Sequence, residues 1–527
     1  MSRRHLLKTT RRAFLRILGG TVAAVSGRSA ARPADSLPQI HVITRNTRFG
    51  AVGRRTGRTG PAFKRYPGAG WIGLPTARSS GGSLGEVVRG YAPARGFADS
   101  EITVDELSAL LFHTNGATGR YSIGDGSIRL RAAPSAGANY AGEVYVVAQR
   151  VSGVPPGLYY YGVGRHRLIQ LRRGSLIESV GSALEQPPEN AAVAVLLTNV
   201  MGRYTSQYAN RGYRYALIDS GHIGENLRLA ASAMGMADVS PLRFWDDRLN
   251  ELLNVDGRTE AICAVHLVGR EGADAARRAD GVSGLSEVQL SPSGFGSGSA
   301  IERFHQRTKL VPSKAPASIV AGAASFGGVA GGVDLPDAQP LKLSVHDAIR
   351  ARRSAEGFDR SPITLEQLAS ILHAAGGNAG LQRAAGVEIF VIAHRVARLE
   401  PGAYRYASEV HRLVPVRSGP LEAEMLAACL RQEMAESAAA GFAMATSLYG
   451  SDGGDAGPSE LGDRRYRDWL IESGAISQRI YLAAGAVGLG ARNLAAFVDD
   501  RFNEMLRLDR LHRVALHLTM LGHIRRA

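Results

Sequence analysis

Three consecutive residues, Arg352, Arg353 and Ser354, present a concentrated set of hydrogen-bond donors. Each guanidinium is a planar fork of N–H groups that matches two oxygens of a phosphate, and a serine hydroxyl supplies a further donor. The triplet is therefore predicted to cradle a dianionic phosphate. A solvated helix end is the alternative that the sequence leaves open.

A second segment combines small residues with free backbone N–H groups: Pro134, Ser135, Ala136 and Gly137. Small residues let the backbone approach a bound ligand closely. This segment is predicted to face a ligand, and an ordinary turn is the alternative. Arg131, three residues earlier, is a further candidate for contact with an anionic ligand.

Tyr208 is the candidate for proton transfer or for positioning a substrate. Gln207, just before it, cannot take up a proton. His222 is expected to be a hydrogen-bonded core histidine rather than a catalytic one. The chain has two cysteines, Cys263 and Cys429, which excludes a disulfide scaffold, a cysteine zinc finger and an iron–sulfur protein. No metal site is predicted.

The net charge of +16 over 527 residues is concentrated at the N-terminus. Residues 1–66 hold 15 Lys and Arg and one acid, Asp35, so the rest of the chain carries only +2. A nucleic-acid-binding domain would need a basic face on its folded part. The distribution therefore argues against nucleic acid as a partner.

The N-terminal segment has the order of features found in an export signal. Thr10-Arg11-Arg12-Ala13-Phe14-Leu15-Arg16 precedes a short apolar run over residues 17–26. This resembles a twin-arginine signal, and a basic surface helix or nucleic-acid arm is the alternative. The resemblance implies recognition by the twin-arginine translocase, a cofactor loaded before export, and a periplasmic protein that stays membrane-associated if the signal is not cleaved. Residues 1–31 are assigned to the signal and 32–82 to a basic linker.

The remainder is a diverged tandem repeat. Thr103-Val104-Asp105-Glu106-Leu107 matches Thr364-Leu365-Glu366-Gln367-Leu368 at an offset of 261. The offset falls to 245 at the first strand and rises to 253 over the long helix and final strand. The second copy has therefore lost 16 residues between its first helix and its first strand.

Each copy is expected to be an α+β unit. Amphipathic helices are predicted over 104–113 and 365–374, long helices over 214–234 and 467–487, and closing strands over 261–268 and 514–521. The predicted domains are 83–272 and 341–527, joined by a Gly/Ser/Ala-rich linker over 273–340.

The motifs of the two copies resemble the nitroreductase superfamily, and within it the SagB-type dehydrogenases of thiazole/oxazole-forming peptide maturation. In the first copy the likeness is carried by Pro134–Gly137, Arg211–Tyr215, Ser220–Ile223 and Phe244–Asp247. In the second it is carried by Arg352–Ser354, Arg465–Arg467, Gly488–Gly490 and Phe497–Asp500. Members of this family are dimers that hold FMN at the subunit interface. The resemblance thus implies two nitroreductase-like domains that form an intramolecular pseudo-dimer in a monomeric chain.

The two copies retain complementary parts of the family's FMN site. Tyr91-Ala92-Pro93 stands where the second copy has Arg352-Arg353-Ser354, and the 16-residue deletion removes the second copy's counterpart of Pro134–Gly137. One intact site and one decayed site are therefore expected. The resemblance implies these FMN-binding residues: Arg352, Arg353, Ser354, Pro134, Ser135, Ala136, Gly137, Arg131, Ala495, Ala496 and Arg525.

The resemblance also implies hydride transfer between a flavin and a small-molecule or peptide substrate, with Tyr208 as the catalytic residue. The peptide-maturation dehydrogenases have a Lys-Tyr pair where this chain has Gln207-Tyr208, so flavin chemistry is implied more directly than azoline oxidation. The electron acceptor stays open. Two alternatives remain: a degenerate, non-catalytic flavin-binding or scaffold protein on the same fold, and a basic-tailed nucleic-acid or membrane binder with an unrelated core.

Overall fold

The computed structural model describes residues 41, 44, 63–78, 81–94, 96–123, 126–272, 300–310, 332–378, 386–448, 461–509 and 513–525. We call residues 63–272 the first half and residues 332–525 the second half. The twin-arginine segment lies outside the described residues, so its export role stays a prediction. Within the described part, no helix is both long and apolar enough to cross a membrane.

The first half is organised around a seven-stranded antiparallel sheet in the order β1-β8-β7-β5-β9-β11-β10. A separate hairpin, β3–β4, and a short parallel pair, β2–β6, flank it. The strands are β1 (Trp71–Gly73), β2 (Ile102–Thr103), β3 (Ala117–Ile123), β4 (Gly126–Arg131), β5 (Gly142–Ala148), β6 (Val151–Ser152), β7 (Gly157–Gly162), β8 (Arg167–Arg173), β9 (Val193–Val200), β10 (Ala237–Val239) and β11 (Glu260–Gly269).

The second half repeats the large sheet in the order β12-β15-β14-β13-β16-β18-β17. Its strands are β12 (Val333–Asp334), β13 (Val387–Ala393), β14 (Gly402–Ala407), β15 (Arg412–Ser418), β16 (Ala440–Ser447), β17 (Gly490–Asn493) and β18 (Arg513–Gly522). The hairpin β3–β4 falls within the stretch where the first copy is 16 residues longer.

The helices follow the same repeat. They are α1 (Leu84–Gly90), α2 (Val104–Asn115), α3 (Ile177–Gly181), α4 (Gly202–Tyr208), α5 (Gly212–Ala233), α6 (Asp246–Leu253), α7 (Ala300–Thr308), α8 (Val345–Ala351), α9 (Leu365–Gly376), α10 (Glu422–Ala428), α11 (Glu433–Ser437), α12 (Leu461–Ala486) and α13 (Asp499–Met505). The predicted helices and closing strands all occur, and their bounds shift by a few residues. The α+β fold with two sheet-containing halves is confirmed.

Local sequence explains where the amphipathic helices α2 and α9 begin. Thr103 and Thr364 each accept a hydrogen bond from the backbone N–H three residues later, and Glu106 or Gln367 bonds back to the threonine N–H. Such a capping box satisfies two backbone donors that the first turn would leave unpaired. The matching residues therefore start α2 and α9 at the same point of the repeat.

The two halves meet along α5 and α12, which cross at a pair of glycines. A Cβ built on Gly221 would lie 1.9 Å from the carbonyl oxygen of Ile471, and one built on Gly474 would lie 2.0 Å from that of Ile218. Any larger residue would push the helices apart. The offset of 253 relates these two contacts, so they lie about a pseudo-twofold axis between the halves.

Reciprocal ion pairs reinforce this interface. Asp499 of the second half binds Arg211 and Arg214 of the first at 2.5 and 2.6 Å. Asp246 of the first half binds Arg464 and Arg467 of the second at 2.7 and 2.5 Å. All six side chains are buried. Removing one partner from such a pair leaves a buried charge and costs roughly 3–5 kcal/mol.

Segments expected to be linkers contain parts of the repeat. β1 lies within 32–82, β12 lies within 273–340, and each adds an edge strand to its sheet. His41 contacts the Tyr466 hydroxyl at 3.2 Å, and His305 of α7 contacts that of Tyr213 at 2.9 Å. Each half therefore begins earlier than the bounds 83 and 341 that the sequence suggested.

Candidate functional site

Arg352 joins the two halves at the end of α8. Ser344 caps this helix, which ends where Arg352 leaves helical geometry at φ −52° and ψ 123°. Its Nε donates to the carbonyl oxygen of Ala132 at 2.8 Å, and its Nη2 donates to that of Arg131 at 3.1 Å. These carbonyls lie two and three residues before Pro134, where the Pro134–Gly137 segment begins. The structure therefore brings together two parts of the site that the sequence places more than 200 residues apart.

Among the described residues, no acidic side chain pairs with the charge of Arg352. Its side chain is buried, yet no carboxylate among the described residues lies within 4 Å. Its Nη1 is buried without a hydrogen-bond partner in that part of the chain. Burial lowers the pKa of the guanidinium, because desolvation penalises the charged form. A buried arginine with an unused donor is suited to an anionic ligand.

The next two residues extend this corner of the site. Arg353 donates from Nη2 to the carbonyl oxygen of Thr118, on β3, at 2.7 Å, and it pairs with no carboxylate of the described chain. Ser354 Oγ lies 3.1 Å from the hydroxyl of Tyr481, which also accepts from the N–H of Asn493 at 2.9 Å. Arg352, Arg353 and Ser354 thus lie where the second half meets the hairpin of the first.

The Pro134–Gly137 segment is a tight turn that packs against the side chains of Tyr204 and Tyr208. Ser135 Oγ lies 2.6 Å from the Tyr204 hydroxyl and accepts from the N–H of Tyr140 at 2.8 Å. Gly137 has φ 60°, and a Cβ there would lie 2.3 Å from the Tyr208 hydroxyl. Both the backbone conformation and the lack of space require glycine.

Tyr208 is linked to the second half through Tyr215. The two rings meet edge to face with centroids 5.0 Å apart, and the Tyr215 hydroxyl donates to the carbonyl oxygen of Ala495 at 2.7 Å. Arg211 Nε donates to the same oxygen at 3.1 Å. A continuous chain of contacts therefore links Gly137 and Tyr208 of the first half to Ala495 of the second half. Burial raises the pKa of Tyr208, so its hydroxyl is neutral and can donate a proton or a hydrogen bond.

Gln207 is a supporting residue of the turn. Its Oε1 accepts a hydrogen bond from Asn139 Nδ2 at 2.7 Å, and that amide also donates to the carbonyl oxygen of Ala136 at 3.1 Å. The Gln207 side chain thus helps to hold the turn in place.

Asp219, on α5, was not among the residues singled out from the sequence. The Tyr204 hydroxyl donates to its carboxylate, and Ser135 and the N–H of Ala136 also bond to it. Burial raises its pKa from 3.8 to about 7 despite these bonds. No Lys or Arg of the described chain lies within 4 Å. The one sequence signal was an acid directly after the apolar run Ala216–Ile218.

Four other predicted positions have definite places. The carbonyl oxygen of Ala496 accepts from Gln432 Nε2 at 2.9 Å. Arg131 is buried, donates to the carbonyl oxygen of Gly142 at 3.1 Å and lies 4.9 Å from the Tyr140 ring centre. Arg525 forms a solvent-exposed ion pair with Glu433 at 2.6 Å. His222 accepts from Asn493 Nδ2 at 2.9 Å, and burial lowers its pKa, which makes it a neutral core histidine.

The pseudo-twofold axis relates the region around Arg352 to a second region around Tyr91 and Arg228. In this second region the positions of arginine and tyrosine are exchanged. Arg352 lies 5.6 Å from the ring centre of Tyr481, and their repeat counterparts are Tyr91 and Arg228. Arg228 lies 4.6 Å from the ring centre of Tyr91, so arginine and tyrosine have exchanged positions.

Acids neutralise that second corner. Arg228 pairs with Glu225 at 3.0 Å and with Asp238 at 3.8 Å, and the Tyr91 hydroxyl donates to Asp238 at 2.7 Å. An anion would meet carboxylates there and no unused arginine donor. The two corners therefore share a fold and differ in charge.

The family model of the "Nitroreductase family" matches residues 94–270 and again 349–523. The chain belongs to the nitroreductase family. The repeat is thus two copies of one family domain, and the tandem arrangement expected from the sequence is confirmed.

Individual relatives agree. A putative nitroreductase of Methanocaldococcus jannaschii is 32% identical over 167 residues, which cover 31% of this chain and 79% of that protein. The trifolitoxin-processing protein TfxB of Rhizobium leguminosarum bv. trifolii is 27% identical over 179 residues, which cover 32% of this chain and 48% of that protein. The chain therefore spans about half the length of TfxB.

One solved structure resembles nearly the whole chain. A putative nitroreductase from Anabaena variabilis superposes with a TM-score of 0.73 and 26% sequence identity, over 92% of this chain and 99% of that one. The paired arrangement of two nitroreductase domains thus occurs in another solved protein.

Proposed function

We propose that this nitroreductase-family protein is an exported FMN-dependent oxidoreductase with one flavin site, between the second-half corner at Arg352 and the first-half turn at Gly137. The observation that carries the proposal is the buried, unneutralised guanidinium of Arg352, with a free Nη1 and two bonds to the first half. Nitroreductases are generally FMN-dependent, and the donor set fits a phosphate.

FMN would supply hydride transfer at its ring, and the protein would bind and orient both reactants. Arg352 and Arg353 would hold the phosphate, and Ser354 would add a hydroxyl. The turn at Ser135–Gly137 would carry its backbone N–H groups against the ring. Tyr208, neutral and fixed between Gly137 and Tyr215, would position substrate or donate a proton.

The similarity to a trifolitoxin-processing protein favours a peptide as substrate, and a small molecule is the alternative. Gln207 has no exchangeable proton of suitable pKa, so Tyr208 would act without a neighbouring lysine. In the periplasm NAD(P)H is not at hand, so we propose that electrons pass to oxygen or to a membrane or periplasmic carrier.

The flavin content of the purified full-length protein tests the proposal. We expect about one FMN per chain, released on unfolding and measured by absorbance. Two FMN per chain would contradict the single site. A protein that neither carries nor acquires flavin would instead support the second candidate, a non-catalytic scaffold on the same fold, which the charge-neutralised corner at Arg228 favours.

Export is tested separately. Replacing the arginine pair by Arg11→Lys with Arg12→Lys should retain the protein in the cytoplasm, with flavin still bound. Equal periplasmic amounts of both forms would contradict the twin-arginine assignment.

A further inference from the structure

The end of the first-half sheet formed by the short edge strand β1 and its neighbour β8 carries arginines without acidic partners among the described residues. Arg165, Arg167, Arg172 and Arg173 lie on or just before β8. Among the described residues no carboxylate approaches any of them within 4 Å. We call these four arginines together with Trp71 the basic edge.

The second half shows what a neutralised version of this edge looks like. On β15, Arg412 pairs with Asp334 at 2.6 Å and Arg417 pairs with Glu424 at 2.5 Å. Arg412 and Arg417 are the repeat counterparts of Arg167 and Arg172. The first half therefore keeps both arginines.

The acids that would pair with them are missing. Gly73 faces Arg167 in the strand register where Asp334 faces Arg412. Ser179, on α3, stands at the place of Glu424 on α10. The one acid of α3, Glu178, forms no ion pair with the described residues. The same chain thus holds a paired and an unpaired version of one surface.

Three further differences strengthen the contrast. Arg165 and Arg173 occupy the places of Val410 and Ser418. Trp71, on β1, replaces Gly332 and is 61% exposed, with the Arg167 guanidinium 5.2 Å from its ring centre. The exposed Arg165, Arg172 and Arg173, together with the half-buried Arg167 beside an exposed indole, distinguish this edge from its repeat counterpart.

The geometry points to an extended anionic surface as the partner. β8 has seven residues, so its arginines are spread over roughly 20 Å along the strand. A single phosphate group could not contact arginines spread over that length. The headgroups of a lipid membrane, which lie side by side in a plane, could contact all of them. Tryptophan prefers the interface between membrane and water, and arginines next to it are drawn to anionic lipids. We propose that the basic edge binds anionic phospholipid membranes peripherally.

Trp71 provides a local reporter of this contact. The chain has three tryptophans, and Trp469 is buried. Vesicles of phosphatidylcholine containing phosphatidylglycerol should shift the emission of the full-length protein to shorter wavelength, whereas phosphatidylcholine alone should not. Trp71→Phe should lose this shift. A high salt concentration should reverse it, since exposed charges are screened over about 10 Å at 0.1 M.

Restoring the missing acids tests the arginines. Gly73→Asp with Ser179→Glu copies the second half and should lower vesicle affinity by roughly tenfold or more. A Cβ at Gly73 meets no atom closer than 3.7 Å, so the strand tolerates the change. The matched control, Val410→Glu with Ser418→Glu, adds the same charge to the other edge and should leave affinity unchanged.

Three outcomes would overturn the proposal. Vesicle binding without any change in Trp71 emission would mean that the basic N-terminal segment, present in every variant, makes the contact. Equal losses in the two charge variants would mean that net charge alone decides. Binding of RNA or of an acidic protein at this edge, with no binding to phosphatidylglycerol vesicles, would assign the surface to another partner.

Discussion

The guanidinium of Arg352 lies 5.6 Å from the ring centre of Tyr481, whereas in the repeat counterpart Arg228 lies 4.6 Å from Tyr91. Arginine and tyrosine have exchanged places between two otherwise equivalent corners. The exchange matters because Glu225 and Asp238 neutralise Arg228, and no described carboxylate neutralises Arg352. The region around Arg352 can thus accept an anion, whereas the acids around Arg228 already pair with that arginine and would repel one.

Arg352→Gln should weaken FMN binding by roughly 100-fold, because a charge-assisted hydrogen bond is worth about 1.5–3 kcal/mol. The change also removes an unneutralised buried charge, so the thermal stability of the flavin-free protein should fall little. Fluorescence titration with FMN measures the affinity. Arg525→Gln is the control and should bind normally, since Arg525 already pairs with Glu433. Equal losses in both variants would argue against a specific role for Arg352.

Arg228→Gln should give the opposite result. Removing this arginine leaves Asp238 buried without its ion pair and weakens the pairing of Glu225, which should cost about 3 kcal/mol of unfolding free energy. Urea unfolding measures that loss. FMN content should remain about one per chain, because this corner is predicted to hold no flavin. A fall in flavin content in the folded variant would show that the second corner takes part in binding.

Gly137→Ala should disturb Tyr208. A methyl group would meet the Tyr208 hydroxyl at 2.3 Å, and a non-glycine residue at φ 60° costs about 1 kcal/mol on its own. Flavin affinity should fall, and adding Tyr208→Phe should recover part of it because the clashing oxygen is gone. A double-mutant cycle measures this coupling. Strictly additive effects would mean that the two residues do not meet in solution.

Asp219 should make stability depend on pH. Its folded-state pKa of about 7 lies above the ordinary value of 3.8, so between these pH values the folded protein binds more protons than the unfolded chain. Its contribution is therefore full in acid and is lost as the pH rises towards 7, by up to about 1.4 kcal/mol per pH unit.

Asp219→Asn keeps a polar group beside Tyr204 and removes the titration. The difference in unfolding free energy between the two proteins, measured in urea from about pH 4.5 to 8, should therefore change in favour of the variant up to about pH 7 and then level off. A difference that does not vary with pH would mean that this carboxyl keeps its ordinary pKa. Because the comparison is between two proteins that share every other group, it isolates Asp219 from acids with lowered pKa values such as Asp499.

The sequence by itself determined the repeat, the α+β units and the approximate bounds of the four helices and two closing strands that it predicted, because helix caps such as Thr103 and Thr364, apolar periodicity and turn glycines act over a few neighbouring residues. It also predicted that Arg352 and the Pro134–Gly137 segment are complementary parts of one site, and the structure brings these two segments together. The bounds of each half were harder to see. β1 and β12 are only three and two residues long, too short to show a strand pattern in the sequence. They become edge strands through pairing with β8 and β15, which are distant in the chain.

Only the tertiary structure decided how charges are distributed around the site. Whether a buried arginine is free or neutralised depends on which acids lie within about 4 Å, and those acids come from distant parts of the chain. Arg525 and Arg352 look alike in sequence, but Arg525 forms an exposed ion pair with Glu433. Among the described residues Arg352 pairs with no carboxylate and donates to backbone carbonyls. The roles of Asp219 and Gln207 likewise depend on contacts with a distant part of the chain. Ser135 and Ala136 bond to Asp219, and Asn139, just after the same turn, donates to Gln207.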